Sequence, residues 1–76
     1  MRQVVSEAFL RLIISARLTN ETMGAGTYWV APVRCPRQGR GPNWRNAFDP
    51  AAVPNGYIEA WERIRPDFEA RFDLVS

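Results

Sequence analysis

Between Gln3 and Leu18 apolar residues return at three- and four-residue steps. Val5, Phe9, Leu12, Ile13 and Ala16 fall on one face with Val4 and Ala8 at its flank, the spacing of an amphipathic helix laid on a core. Glu7 and Arg11 stand four residues apart and are expected to pair on the exposed side. Arg17 suits the last turn, where a cation faces the negative end of the helix dipole. Thr19 and Asn20 close the pattern, and Gly24-Ala25-Gly26 breaks the chain.

The period then changes. Residues 27–35 are β-branched and aromatic and predict a strand. Trp29, Ala31, Val33 and Cys35 share one of its faces, and Tyr28, Val30, Pro32 and Arg34 the other. Pro32 cannot donate to a ladder, which places it at an edge or a bulge. Residues 36–42 hold two prolines and two glycines and predict a turn. A short second strand follows from Asn43 to Phe48, with Trp44, Asn46 and Phe48 on one face. The pair is an antiparallel hairpin whose loop is longer than the commonest hairpin turns.

Asp49-Pro50 is a helix start with a side-chain cap, but Pro54 limits it to one turn. Asn55 is positioned to cap the next helix. From Tyr57 to about Leu74, Ile58, Trp61, Ile64, Phe68 and Phe72 keep helical spacing through Pro66. The proline ring clashes with the carbonyl four residues back, so the expectation is one helix kinked near Arg65. The sum is an α+β fold: an N-terminal helix, a two-stranded antiparallel hairpin and a kinked C-terminal helix. Both helices pack on one face of the small sheet. Because an isolated hairpin is weak, the sheet leans on the helices or gains strands from a second copy.

Length fits this picture. The 76 residues form a single domain, 1–76. A chain this short buries only about 60% of its unfolded surface, which its three Trp, four Phe and two Tyr partly offset.

Composition removes most chemistry. With one Cys and no His there is no internal disulfide, no zinc ligand set and no Ser-His or Cys-His pair. All ten basic residues are arginine, so Schiff-base and P-loop lysines are absent too. No cofactor is implied. No apolar run approaches the roughly eighteen residues of a membrane span. Arg11 splits the apolar run a secretory signal needs, and Glu7 interrupts a transit-peptide pattern. The expected location is the cytoplasm. Asn20-Glu21-Thr22 is a glycosylation sequon only in a secretory compartment, and Gly24-x-Gly26 precedes a strand rather than a helix, unlike a dinucleotide loop.

Gly41-Pro42-Asn43-Trp44, then Phe48-Asp49-Pro50-Ala51, then a helix ending Ala70-Arg71-Phe72-Asp73-Leu74 resembles a class of short proteins of Arg-rich, high-GC proteobacterial genomes. These carry a G-x-N-W stretch after a strand and an aromatic-Asp/Asn-Leu tail. The resemblance spans residues 27–75. It implies no activity and no site residues, and it implies that the all-arginine usage reflects genome composition.

Charge is unevenly spread. Residues 1–45 carry seven Arg against Glu7 and Glu21, a net +5, and residues 46–76 carry three Arg against six acids, a net −3. Such halves either neutralise each other in the fold or advertise an acidic or phosphate-bearing partner. The sharpest candidate site is the hairpin, where Arg34, Arg37, Arg40 and Arg45 are interleaved with Gly39, Gly41 and Trp44. Guanidinium groups bind phosphate bidentately and an exposed Trp stacks on a base. The alternative is a solvated turn with Trp44 in the core.

The carboxylates Glu59, Glu62, Asp67, Glu69 and Asp73 read as a salt-bridged face, with Glu62–Arg65 and Asp67–Arg71 pairs, rather than as an acid-base or Mg²⁺ site. Trp29, Trp44 and Trp61 read as core rather than as an aromatic cage. Cys35 reads as a buried small apolar residue with no base to activate it. The function expected is a small non-enzymatic interaction module. Its expected partner is a macromolecule, a protein, with a second copy in a homodimer as one candidate. Nucleic-acid binding through Arg34–Arg45 is the alternative, and neither a membrane nor a metal is involved.

Overall fold

The computed structural model describes residues 2–22, 30–37 and 39–75. The glycine-rich break, Tyr28, Trp29 and the first part of the expected strand lie outside the described residues. In chain order the elements are β1 (Gln3–Val5), α1 (Glu7–Thr22), β2 (Pro32–Arg34), β3 (Trp44–Asn46), α2 (Tyr57–Arg71) and β4 (Phe72–Leu74). The fold is α+β, with two helices packed on each other and against the strands.

The hairpin forms as its composition predicts. β2 and β3 are antiparallel, with Val33 opposite Arg45. The ladder continues beyond both strands through Cys35 N–H to Asn43 O (3.0 Å) and Ala47 N–H to Ala31 O (2.9 Å). Those bonds fall on odd positions of β2, so Pro32 lies between them, where no N–H is required. Val30 and Pro32 are the buried side of this strand. Cys35, expected to be buried, sits half-exposed on the opposite side, because the inward face is the one that Val30 and Pro32 share. Trp44 is buried, and Asn46 and Phe48 are half-buried on its side of β3.

Both chain ends correct the expectation. β1 and β4 pair in parallel, Gln3 with Phe72 and Val5 with Leu74, and Val75 N–H extends the pairing to Val5 O at 2.9 Å. Each strand runs straight into a helix. Ser6 alone separates β1 from α1 and caps it, its Oγ accepting from Phe9 N–H at 3.1 Å. Phe72 turns extended at the end of α2 while its N–H still bonds Phe68 O. There are thus two two-stranded sheets.

α1 also presents a different face from the one expected. Leu10, Ile14 and Leu18 are buried, while Phe9 and Leu12 are exposed, Ala16 is exposed and Ile13 half-buried. On α2 the stripe Trp61, Ile64 and Phe68 is buried as predicted, with Phe72 buried beyond it in β4, but Tyr57 and Ala60 complete it and Ile58 is exposed. One helix passes through Pro66. Glu62 and Pro66 both face solvent, so water can satisfy the carbonyl that the proline leaves without a donor. Asn55 is not the cap. Gly56 holds that position in the left-handed region at φ 87°, where a side chain would be strained. Asp49 makes one turn, accepting from Ala51 N–H at 3.0 Å.

The Asn43 side chain joins the two sheets with a pair of hydrogen bonds. The Asn43 amide donates to Leu74 O at 3.0 Å and accepts from Leu74 N–H at 2.8 Å. Both backbone groups of a strand residue are satisfied as a neighbouring strand would satisfy them. Trp44, next in sequence, donates its indole N–H to Phe72 O at 2.9 Å. Gly41-Pro42-Asn43-Trp44 and Phe72-Asp73-Leu74, remote in sequence, meet here.

Asn43→Ala should therefore cost about 2–3 kcal/mol, because it strands two partly buried backbone groups. Asn43→Asp keeps the shape but loses the donor and adds a carboxylate beside Asp73, and should cost at least as much. Urea denaturation measures both, and an Asn43→Ala loss under about 0.5 kcal/mol contradicts the clamp.

Candidate functional site

The hairpin loop does not expose four free guanidinium groups. Arg37 pairs with Asp73 at 2.8 Å and donates to Gly41 O at 2.8 Å, bracing its own loop against β4. Arg2 approaches the same carboxylate at 3.8 Å. It also donates to Glu69 O and to Arg40 O, tying the first residues to the hairpin tip. Arg34 donates to Val75 O at 2.9 Å. Trp44 is 1% exposed, with Trp61 tilted against it at 6.3 Å between ring centroids. Trp44 is therefore a core residue and offers no face to a base. Arg40 and Arg45 are exposed and belong to no ion pair among the described residues.

Asp73 is the electrostatic centre of this region. Burial alone opposes its ionisation, but the hydrogen bond and charge of Arg37, the Asn43 N–H and the charge of Arg2 together outweigh burial and hold the carboxyl below its ordinary range. Tyr57, under the hairpin, moves the other way. Burial raises its phenol above the usual value, opposed by the Asn46 amide, which donates to its hydroxyl at 3.0 Å.

The remaining carboxylates are dispersed. Glu62 pairs with Arg65 and Asp67 with Arg71, at 3.3 and 3.2 Å, as their spacing predicts. Glu69 pairs with Arg65 at 3.3 Å. Among the described residues no three potential metal ligands gather, and no helix is long and apolar enough to cross a membrane. A cleft of about 460 Å³ beside the hairpin is lined by Cys35, Pro36, Gly41, Pro42, Trp44, Arg45 and Glu69. Of its charged groups, Glu69 already has a partner.

Among the described residues, the arginines without a carboxylate partner fall in one place. Seven arginines, Arg2, Arg11, Arg17, Arg37, Arg63, Arg65 and Arg71, have carboxylate partners. The other three, Arg34, Arg40 and Arg45, are all on the hairpin. The two halves of the chain do meet, through Arg2 and Arg37 on Asp73 and through Arg63 on Glu21 at 3.7 Å.

The outer face of α1 was not among the residues singled out from sequence. Its charged residues are Glu7, Arg11, Arg17 and Glu21, which interleave with the buried Leu10, Ile14 and Leu18 at three- and four-residue steps. They therefore flank the inward stripe. They pair with each other, Arg11–Glu7 at 2.6 Å and Arg17–Glu21 at 3.1 Å, and Arg11 also donates to Val30 O at 3.2 Å. The Glu7–Arg11 pair is exposed, as expected, and the Arg11 bond to Val30 O ties the helix to the residues before β2. What faces outward is Ala8, Phe9, Leu12, Ser15, Ala16, Thr19 and Asn20, with no charge among them. Thr19 turns its hydroxyl back onto Ser15 O at 3.0 Å, which makes the face less polar still. Phe9 is 45% and Leu12 67% exposed. A surface helix ordinarily centres its charges on the outward face, and here they stand at its flanks, with Glu7 and Arg17 exposed. The signal was in the sequence as a second apolar stripe, and was read as the core.

Beside this face runs a groove of about 520 Å³ between α1, α2 and β4, lined by Phe9, Ile13, Ala16, Phe68 and Phe72, with Arg17 and Arg71 at its rim.

The lowered Asp73 pKa has a pH consequence. A folded value below the unfolded one stabilises the fold above the ordinary carboxylate range, and that contribution disappears as pH falls through the lowered value. Asp73→Asn should lower stability at neutral pH and flatten its decline below about pH 4, read from urea midpoints across pH. Arg40→Glu should change stability by less than about 0.5 kcal/mol, whereas Arg37→Ala should reproduce part of the Asp73→Asn loss. Against known proteins, no family, no curated protein and no solved structure matches this chain, so its function is read from this geometry.

Proposed function

We propose that this chain is a small interaction module without catalytic activity, and that it docks a macromolecular partner on the outward face of α1. The observation that carries the reading is the outward face of α1, where Phe9 and Leu12 are exposed and no charged residue falls. Such a face costs solvation while bare and gains it when covered. The dispersed carboxylates, each engaged by an arginine or apart from the others, support the non-catalytic part of the reading.

The arginine surplus on the hairpin favours a second reading, binding of nucleic acid by phosphate contacts alone. With Trp44 buried, Arg37 paired and Arg34 held on Val75 O, the guanidinium groups of Arg40 and Arg45 remain, and neutralising about two phosphates gives a log K against log salt slope of about −1.5 to −2.

The two readings separate by variant. Tagged chain incubated with host lysate and then crosslinked should retain a protein at stoichiometric level. The double variant Phe9→Ser, Leu12→Ser should lose it while keeping its urea midpoint, and Arg40→Glu, Arg45→Glu should keep it. Retention by the serine variant, or recovery of no protein, overturns the docking reading. An oligonucleotide anisotropy titration showing the slope above, abolished by the two glutamates, establishes the second.

A further inference from the structure

We propose that Asn55 is a self-modification site: the Gly56 backbone nitrogen attacks the Asn55 side chain, and the amide is converted through a succinimide to aspartate and isoaspartate. The chain has four asparagines, and the structure sets this one apart. Asn43 is held on the Leu74 N–H and carbonyl, and Asn46 on the Ala31 N–H and the Tyr57 hydroxyl. Asn20 lies inside α1 and is followed by the bulky Glu21. Asn55 and Gly56 are both exposed. Among the described residues neither the Asn55 side chain nor the Gly56 N–H has a hydrogen-bond partner. No heavy atom lies within 4 Å of where a Gly56 Cβ would stand, and glycine itself brings none, so the way to this nitrogen is open.

The turn decides how closely the two groups are held. Gly56 at φ 87° and ψ −12° and the Tyr57 N–H bond to Pro54 O at 3.2 Å are the third residue and the closing bond of a type II turn, with Asn55 as its second residue. That conformation holds the Gly56 nitrogen off Asn55 Cγ. Rotation about the Asn55 Cα–C bond brings the two together and breaks the turn bond. The first bond of α2, Ala60 N–H to Gly56 O at 3.0 Å, lies on the next peptide. The fold therefore slows the site without closing it, and the site opens while the core stays packed.

The step balances without an oxidant or reductant. The bond from the Gly56 nitrogen to Asn55 Cγ forms, the Cγ–Nδ2 bond breaks, and the Gly56 amide proton passes through solvent to the departing ammonia. Water then opens the ring, at Cγ to give aspartate or at the main-chain carbonyl to give isoaspartate. Either product adds a carboxylate and lowers the formal net charge of +2 by one. The new charge stands at the positive end of the α2 dipole, where no side chain caps the helix. Isoaspartate also routes the main chain through Cβ and Cγ, which lengthens the turn by one atom.

The full chain, incubated folded in mildly alkaline buffer beside the same chain in urea, tests this by peptide mapping and an isoaspartate methyltransferase assay. The folded chain should accumulate both products at residue 55, with urea speeding the reaction by less than about tenfold, while Asn43 and Asn46 stay intact until unfolded. Asn55→Gln, with an unchanged urea midpoint, should stop the loss of positive charge, because its longer side chain must close a larger ring. A folded chain still amidated at Asn55 when the urea sample has converted, conversion first at another asparagine, or an equal acidic shift in Asn55→Gln overturns the proposal.

Discussion

Four hydrogen-bonding groups meet between Asn43 and Leu74, two from a side-chain amide and two from a strand backbone. Two-stranded sheets are marginal in water, and this fold contains two of them. What makes them one structure is that Asn43 occupies the place of an adjacent strand, carrying the hairpin onto β4. Trp44 then fixes the depth at which the hairpin seats, since its indole N–H needs the Phe72 carbonyl once buried. Asp73, between those two partners, draws in Arg37 and Arg2. The core below is apolar throughout, with no buried polar or charged residue among those described, so polar specificity is concentrated along this one seam.

The hairpin was legible because its signals are local: β-branched and aromatic residues, a Pro/Gly turn, then a Trp-led strand. α2 was legible because Trp61, Ile64, Phe68 and Phe72 keep helical spacing over its whole length. The terminal strands were not. Val5 stands four residues before Phe9, and Phe72 four after Phe68, so both strands extend a helical period. What makes them strands is pairing with the far end of the chain, which no local pattern records.

The face of α1 was misread for a related reason. The helix carries two apolar stripes, and counting favours the one containing Phe9 and Leu12. Packing selects Leu10, Ile14 and Leu18, where the interleaved charges reach one another and the Val30 carbonyl. Of the hairpin residues singled out, Arg40 and Arg45 are exposed and unpaired among the described residues, Arg34 and Arg37 are engaged by β4 and the residue after it, and Trp44 belongs to the core. Composition marks where arginines cluster but not which of them have neighbours to bind.

The parallel pairing of Gln3–Val5 with Phe72–Leu74 sets the order in which the molecule can assemble. α1, the hairpin and α2 form from contacts near in sequence, but β1 and β4 meet only after almost the whole chain has closed into a loop, whose entropy must be lost first. The β1–β4 pairing thus carries a large loop-closure entropy, which the pairing itself and the contacts it brings together must offset.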